Sequence, residues 1–216
     1  MCSIIGYYGN EIAAPIIVKG LKRMEYRGYD SVGVATESNS KIELKKGVGK
    51  VEEVKKDGYI FKSETDSEVI ANLLQKNYEM TKNVKNAIIK TVSELKGHYA
   101  FVAMFENGQL AAARFHEPLI VGIGKNSYFL SSDVLGFIEQ TDNAIYIENG
   151  NFVIIDKDKL QILDFNGESV KQQITKVSKE FADAYKGDYA HFTLKEISEQ
   201  PDTIFKAGED TKDAIK

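Results

Sequence analysis

Cys2 stands one residue from the amino terminus and is the only cysteine in a chain of 216 residues. A thiol at that position can become the terminal residue itself. Removal of Met1, which a small second residue permits, would place a nucleophilic sulfur and a free α-amine on one residue. The amine would then act as the thiol's base, in place of the separate histidine that activates many catalytic cysteines. Cys2 also suits a plainer role as a small buried hydrophobe in a first strand, because free cysteine is among the most buried residue types.

Other residues capable of chemistry are few. Arg27 and Gly28 lie in the run Glu25-Tyr26-Arg27-Gly28-Tyr29-Asp30-Ser31. By itself Arg27 fits an ion pair, and Gly28 fits a positive φ or a close backbone approach. Asp66 lies in Thr65-Asp66-Ser67-Glu68, a capping box in which an acid in the first helical turn is favourable without any ligand. Ser131-Ser132-Asp133 closes an apolar run and opens a short helix, which makes it first a cap. His98, His116 and His191 are too few and too scattered for a metal cluster, and no metal or cofactor is expected.

The elements that must position these groups follow from periodicity. Residues 2–8 read as a strand ended by Gly9-Asn10, and Glu11 to Met24 as a helix with Ile12, Ile16, Ile17, Leu21 and Met24 on one face. Val32 to Ala35 and Lys41 to Lys46 pair as a hairpin around Glu37 to Ser40. Residues 52–58 are charged and pass as a helix end or a loop. The capping box starts a helix with Val69, Ile70, Leu73, Leu74 and Asn77 turned inward. A second helix, Lys82 to Leu95, carries Val84, Ala87, Ile88, Val92 and Leu95 on one stripe. Seven strands follow: His98 to Phe105, Gln109 to Phe115, Leu119 to Ile123, Tyr128 to Ser131, Ala144 to Glu148, Asn151 to Ile155 and Leu160 to Phe165. Asn107-Gly108, Asn149-Gly150 and Asn166-Gly167 mark tight turns, and a short helix spans Asp133 to Thr141. Strands grouped apart from helices predict an α+β fold rather than repeated βαβ units. Residues 170–216 are polar, and the stretch from Ala207 onward reads as a frayed linker.

Composition narrows the function. With 43% hydrophobic residues the chain can bury a substantial core as one domain and a tail. A net charge of −4, from 28 basic and 32 acidic residues well mixed, leaves no electrostatic footprint for nucleic acid or an anionic membrane. No apolar run reaches the ~18 residues of a membrane span. A single cysteine forms no internal disulfide, and a reducing cytoplasm is the expected location.

MCSIIGYYGN, LKRMEYRGYDSVGVA and KKGVGKV, then FKSETDSEVIANLL and HFTLKEISEQP, together resemble the glutaminase domain of the glucosamine-6-phosphate synthase (glutamine–fructose-6-phosphate aminotransferase) family. The resemblance covers nearly the whole chain. It implies a class II glutamine amidotransferase with the four-layer αββα sandwich of N-terminal-nucleophile hydrolases, residues 1–190 forming the glutaminase domain and residues 191–216, with His191, a linker toward a sugar-phosphate isomerase domain. It implies Cys2 as the nucleophile that releases ammonia from glutamine, Asp66 as the group that holds the glutamine α-amine, and Arg27, with Gly28 beside it, as part of the site. The implied partners are glutamine and the isomerase domain, with room for a homodimer, but no nucleic acid and no membrane.

This sequence departs from the family pattern in three ways. Position 3 is Ser where the family has Gly, which crowds the backbone beside the nucleophile. Between KVEEV and KKDGYIFKSETD the family carries an insertion with an Arg-Trp loop and an Asn-Gly pair, and this chain has no tryptophan at all. Missing with that insertion are the oxyanion donors and the arginine that clamps the substrate carboxylate. The expectation is therefore an amidotransferase domain of low turnover, with a folded interaction domain that does no catalysis as the alternative.

Overall fold

The computed structural model describes residues 3–27, 31–38, 41–48, 67–157, 159–178, 189, 194–195 and 197–205. The chain divides into two units, Met1–Ser178 and Lys179–Lys216. In the first unit the elements run β1 (Ile5–Gly9), α1 (Ala13–Arg23), a 3-10 turn (Glu25–Arg27), β2 (Ser31–Ser38), β3 (Lys41–Val48), α2 (Ser67–Thr81) and α3 (Val84–Glu94). They continue with β4 (Tyr99–Met104), β5 (Leu110–Phe115), β6 (Ile120–Ile123), β7 (Ser127–Ser131), a second 3-10 turn (Val134–Gly136), β8 (Asn143–Tyr146), β9 (Asn151–Asp156), β10 (Lys159–Asp164) and β11 (Thr175–Lys176).

The strands form a five-stranded sheet in the order β1-β7-β6-β8-β11, a four-stranded sheet in the order β10-β9-β5-β4, and the β2-β3 hairpin. Alternation along each strand assigns the layers, since successive side chains point to opposite faces. Phe101, Ala111, Ala113, Phe152 and Ile154 face α2 and α3, meeting Leu74, Ile88 and Val92. Their neighbours in sequence, Ala112, Val153 and Ile155, turn the other way and meet Val121, Leu130 and Ile145 of the five-stranded sheet. The outer face of that sheet presents Ile120, Phe129 and Ala144 to Phe137, with Ile16 of α1 packed against them. The order helix, sheet, sheet, helix is the four-layer sandwich expected from the sequence. Full burial of Phe129, Phe137 and Phe152 contributes about 1.5–3 kcal/mol for each side chain.

The helical stripe of α3 matches its reading closely: Val84, Ala87, Ile88 and Val92 are all buried, and Leu95 packs against the same cluster. The three Asn-Gly turns place Gly108, Gly150 and Gly167 at φ of 80°, 76° and 86°, the left-handed region such turns need. Three expectations need correction. Helix α1 begins at Ala13, and Ile12 is its N-cap, 79% exposed rather than on the buried face. The short helix at Asp133 is a single 3-10 turn. The polar stretch after residue 170 contributes a fifth strand, β11, paired with β8 through Thr175↔Ala144 and Lys176↔Asn143. The expected cap at Thr65 and Asp66, the charged stretch 52–58 and the tail from Ala207 onward lie outside the described residues.

In the second unit, residues 194–195 and 197–205 are helical, with Lys195 and Glu199 paired at 3.6 Å one turn apart.

Candidate functional site

Helix α1 and strand β1 converge on the start of the chain. At the helix end the Met24 N–H reaches back to the Gly20 and Leu21 carbonyls at 3.2 and 3.0 Å. The Met24 carbonyl accepts the Arg27 N–H at 3.0 Å and the Ser3 hydroxyl at 3.1 Å. The first described residue is thus tied to the carboxyl end of α1. Ser3 donates its hydroxyl to a helix-terminal carbonyl of the kind that lacks an intrahelical donor.

Ile4 is held from the opposite side. Strands β1 and β7 are antiparallel, and their last ladder pair is Ile5↔Ser131, so Ile4 faces Ser132 at the next step. The Ser132 N–H donates to the Ile4 carbonyl at 3.1 Å, as a continued ladder requires. The return bond does not follow the ladder: the Ile4 N–H donates to the Ser132 hydroxyl at 3.1 Å. The Ser132 carbonyl accepts Nη1 of Arg27 at 2.9 Å. Ser131 adds a hydroxyl bond to the Ile4 carbonyl at 3.2 Å, and both serines are buried.

Arg27 is fixed in turn by Asp133. The Arg27 side chain is 9% exposed, and its Nη1 lies 3.4 Å from Asp133 Oδ2. Tyr26 donates its hydroxyl to the same oxygen at 2.7 Å. The other carboxylate oxygen, Oδ1, accepts the Leu135 N–H at 3.0 Å and caps the 3-10 turn. Asp133 therefore acts as the cap expected of Ser131-Ser132-Asp133 and also as an anchor for Tyr26 and Arg27. Ion pairs from Lys19 and Arg23 to Glu139 bind α1 to the loop that follows this turn.

Of the residues singled out in the sequence, Arg27 has its place here, while Cys2, Gly28 and Asp66 lie outside the described residues. The structure adds Tyr26, and it gives Ser3 and Ser132, read from the sequence as a family departure and as part of a cap, their bonds to Met24 and Ile4. Tyr26 lies inside the same motif as Arg27, and the Ser132 bond to Ile4 spans 128 residues, a distance at which local pattern carries no signal. His98 and His116 pack against each other with ring centroids 4.6 Å apart and planes tilted by 45°. A cavity of about 250 Å³ lined by Ser3, Ile4, Leu21, Val34 and Met104 adjoins the cluster. Ile4 also borders a larger groove of about 810 Å³ between α2 and β4, lined mainly by Ile70, Leu74, Tyr78, Phe101 and Met104. Among the described residues, Gln75, Glu79, Lys82, Glu106 and the Tyr78 hydroxyl are its polar lining.

Residues 48–138 match the sequence profile of the glutamine amidotransferase domain. Glutamine–fructose-6-phosphate aminotransferases from Pyrococcus horikoshii and Aquifex aeolicus are 35% and 33% identical to the chain over 277 and 279 aligned positions, with all of this chain covered. The chain belongs to the glutamine amidotransferase family. It spans about half the length of these relatives, 45% and 47% of their chains. The alignments hold more positions than this chain has residues, so the relatives carry segments that it lacks. Among solved structures, the glutamine phosphoribosylpyrophosphate amidotransferase of B. subtilis superposes with a TM-score of 0.66 at 21% identity, covering 78% of this chain and 50% of its own. The structure of the allosteric regulatory enzyme of purine biosynthesis gives a TM-score of 0.65, also at 21% identity, over 76% of this chain and 49% of its own. The chain thus shares its fold with these two structures.

Proposed function

We propose that this chain is the glutamine-hydrolysing domain of an aminotransferase that supplies ammonia to fructose 6-phosphate in amino-sugar synthesis. The observation that carries this reading is the alignment of the whole chain with relatives named glutamine–fructose-6-phosphate aminotransferase. In the proposed reaction the Cys2 sulfur attacks the side-chain amide carbon of glutamine. The C–N bond breaks, the terminal amine passes the thiol proton to the departing nitrogen, and ammonia leaves behind a γ-glutamyl thioester. Water then cleaves the thioester to glutamate and restores the thiol. Asp66 holds the α-amine of glutamine, and Arg27, beside Gly28, orders the backbone next to the nucleophile. Residues 1–190 form this domain, and residues 191–216 lead toward a sugar-phosphate isomerase domain. The protein works in a reducing cytoplasm, where a lone thiol persists, and pairs as a homodimer.

The deciding experiment combines intact mass with labelling by a diazo-ketone analogue of glutamine. A chain that has lost Met1 should carry one label at Cys2, and Cys2→Ser should carry none. Absence of label on the processed wild-type chain would overturn the reading. It would favour a folded interaction domain without catalysis.

A further inference from the structure

We infer that the Ser132 hydroxyl is the positioning group for the proposed nucleophile: it replaces a backbone carbonyl at the end of the β1–β7 ladder and thereby sets how the chain leaves the sheet toward Cys2. The inference rests on the reading of Cys2 given above. In an unmodified antiparallel ladder the Ile4 N–H would take the Ser132 carbonyl. Here the Arg27 guanidinium occupies that carbonyl at 2.9 Å, and the hydroxyl, one bond off the backbone, takes over as acceptor at 3.1 Å. Charge-assisted bonds are the stronger ones, so the arginine holds the carbonyl, and the Ile4 N–H takes the hydroxyl of the same serine. Asp133 keeps Arg27 in place, and Tyr26 keeps Asp133 in place.

The exchange matters because of what it leaves free. With its N–H on Ser132, Ile4 fixes the peptide plane between residues 3 and 4, since that unit is rigid. The Ser3 hydroxyl, bound to the Met24 carbonyl at 3.1 Å, fixes the next α-carbon. Between this double anchor and the sulfur remain only φ of Ser3 and the ψ and χ1 torsions of Cys2. A thiol that must lie against its own α-amine and a substrate carbon needs this restriction, because small misplacements of reacting atoms are costly.

Cys2 is the only thiol, so alkylation reports on it alone. The rate of reaction with iodoacetamide would be measured from pH 5 to 10 on the Met1-processed wild type and on Ser132→Ala, Ser132→Thr and Tyr26→Phe, with the melting temperature of each. Ser132→Ala should react about tenfold more slowly at neutral pH, with a displaced pH midpoint, and Ser132→Thr, which keeps the hydroxyl, should restore both. Tyr26→Phe leaves the hydroxyl intact but loosens Asp133, and should shift the profile in the same direction by less. A wild-type rate and midpoint in Ser132→Ala would overturn the inference, as would a Thr variant that folds but behaves like Ala. Should Ser132→Ala fail to fold, an unchanged profile in Tyr26→Phe overturns it. A wild type that reacts with iodoacetamide but not with the diazo-ketone would remove the glutaminase reading, while the ratio of Ala to Thr rates still decides the role of Ser132.

Discussion

Gly20 of α1 and Gly136 of the second 3-10 turn meet backbone to backbone: a β-carbon on Gly20 would fall 2.5 Å from the Gly136 carbonyl oxygen and equally close to Ile5 Cδ1. This contact lets α1 lie low on the sheet, so that Met24 is wholly buried and its carbonyl reaches Ser3. Backbone carbonyls cannot rotate away as side chains do. Gly20→Ala should therefore destabilise the fold by about 1–3 kcal/mol, seen as a lower midpoint in thermal unfolding followed by circular dichroism.

Asn77 joins the two helices that cover the four-stranded sheet. It is 2% exposed, and its amide nitrogen donates to the Thr91 hydroxyl and to Glu94 Oε1, each at 3.1 Å. Asn77→Leu fits the apolar surroundings but strands a buried hydroxyl. It should cost about 1–3 kcal/mol, measurable by urea unfolding, and the double variant with Thr91→Val should recover part of that loss.

Asp164 organises the turn after β10. Its Oδ1 accepts the Glu168 N–H at 2.8 Å and the Asn166 N–H at 3.0 Å. The Glu168 bond first, aided by Asn166 and Gly167, holds the carboxyl below its ordinary value of 3.8. A depressed folded-state value means that the stabilisation is present at neutral pH and is lost as the pH falls through that folded value, below about 4. Asp164→Asn should flatten the fall of melting temperature with acid in that range while leaving the neutral-pH fold intact.

Turnover should be low. Loss of a single oxyanion donor lowers rates by about 10²–10³, and a missing carboxylate clamp removes positioning as well. Ammonia release from glutamine by the Met1-processed chain should therefore lie at least about 10²-fold below that of a full-length relative. A rate within tenfold would mean that other backbone amides of this chain supply the donors.

Periodicity made the layers legible. The stripe Val84, Ala87, Ile88, Val92 points one face at a core, and the continuous apolar run Phe152 to Ile155 sends alternate residues into two cores, because local geometry and burial repeat together. Sequence motifs around Cys2 and Arg27 indicated the family without reference to any contact. Ile12 fits the stripe and is nevertheless exposed, because an apolar residue at a helix start matches the stripe whether or not the helix has begun. Strand β11 leaves no signal in the sequence, because two polar residues at a sheet edge need no hydrophobic pattern to pair. What only the tertiary structure decided is the exchange at Ile4, where Arg27 takes the Ser132 carbonyl and the hydroxyl of the same serine takes its place. That choice depends on register and on how the donors of residues 4 and 27 share the two acceptor oxygens of residue 132. A hydrogen bond between residues so distant in the chain leaves no period in the sequence, and it forms only once both sheet and helix are in place.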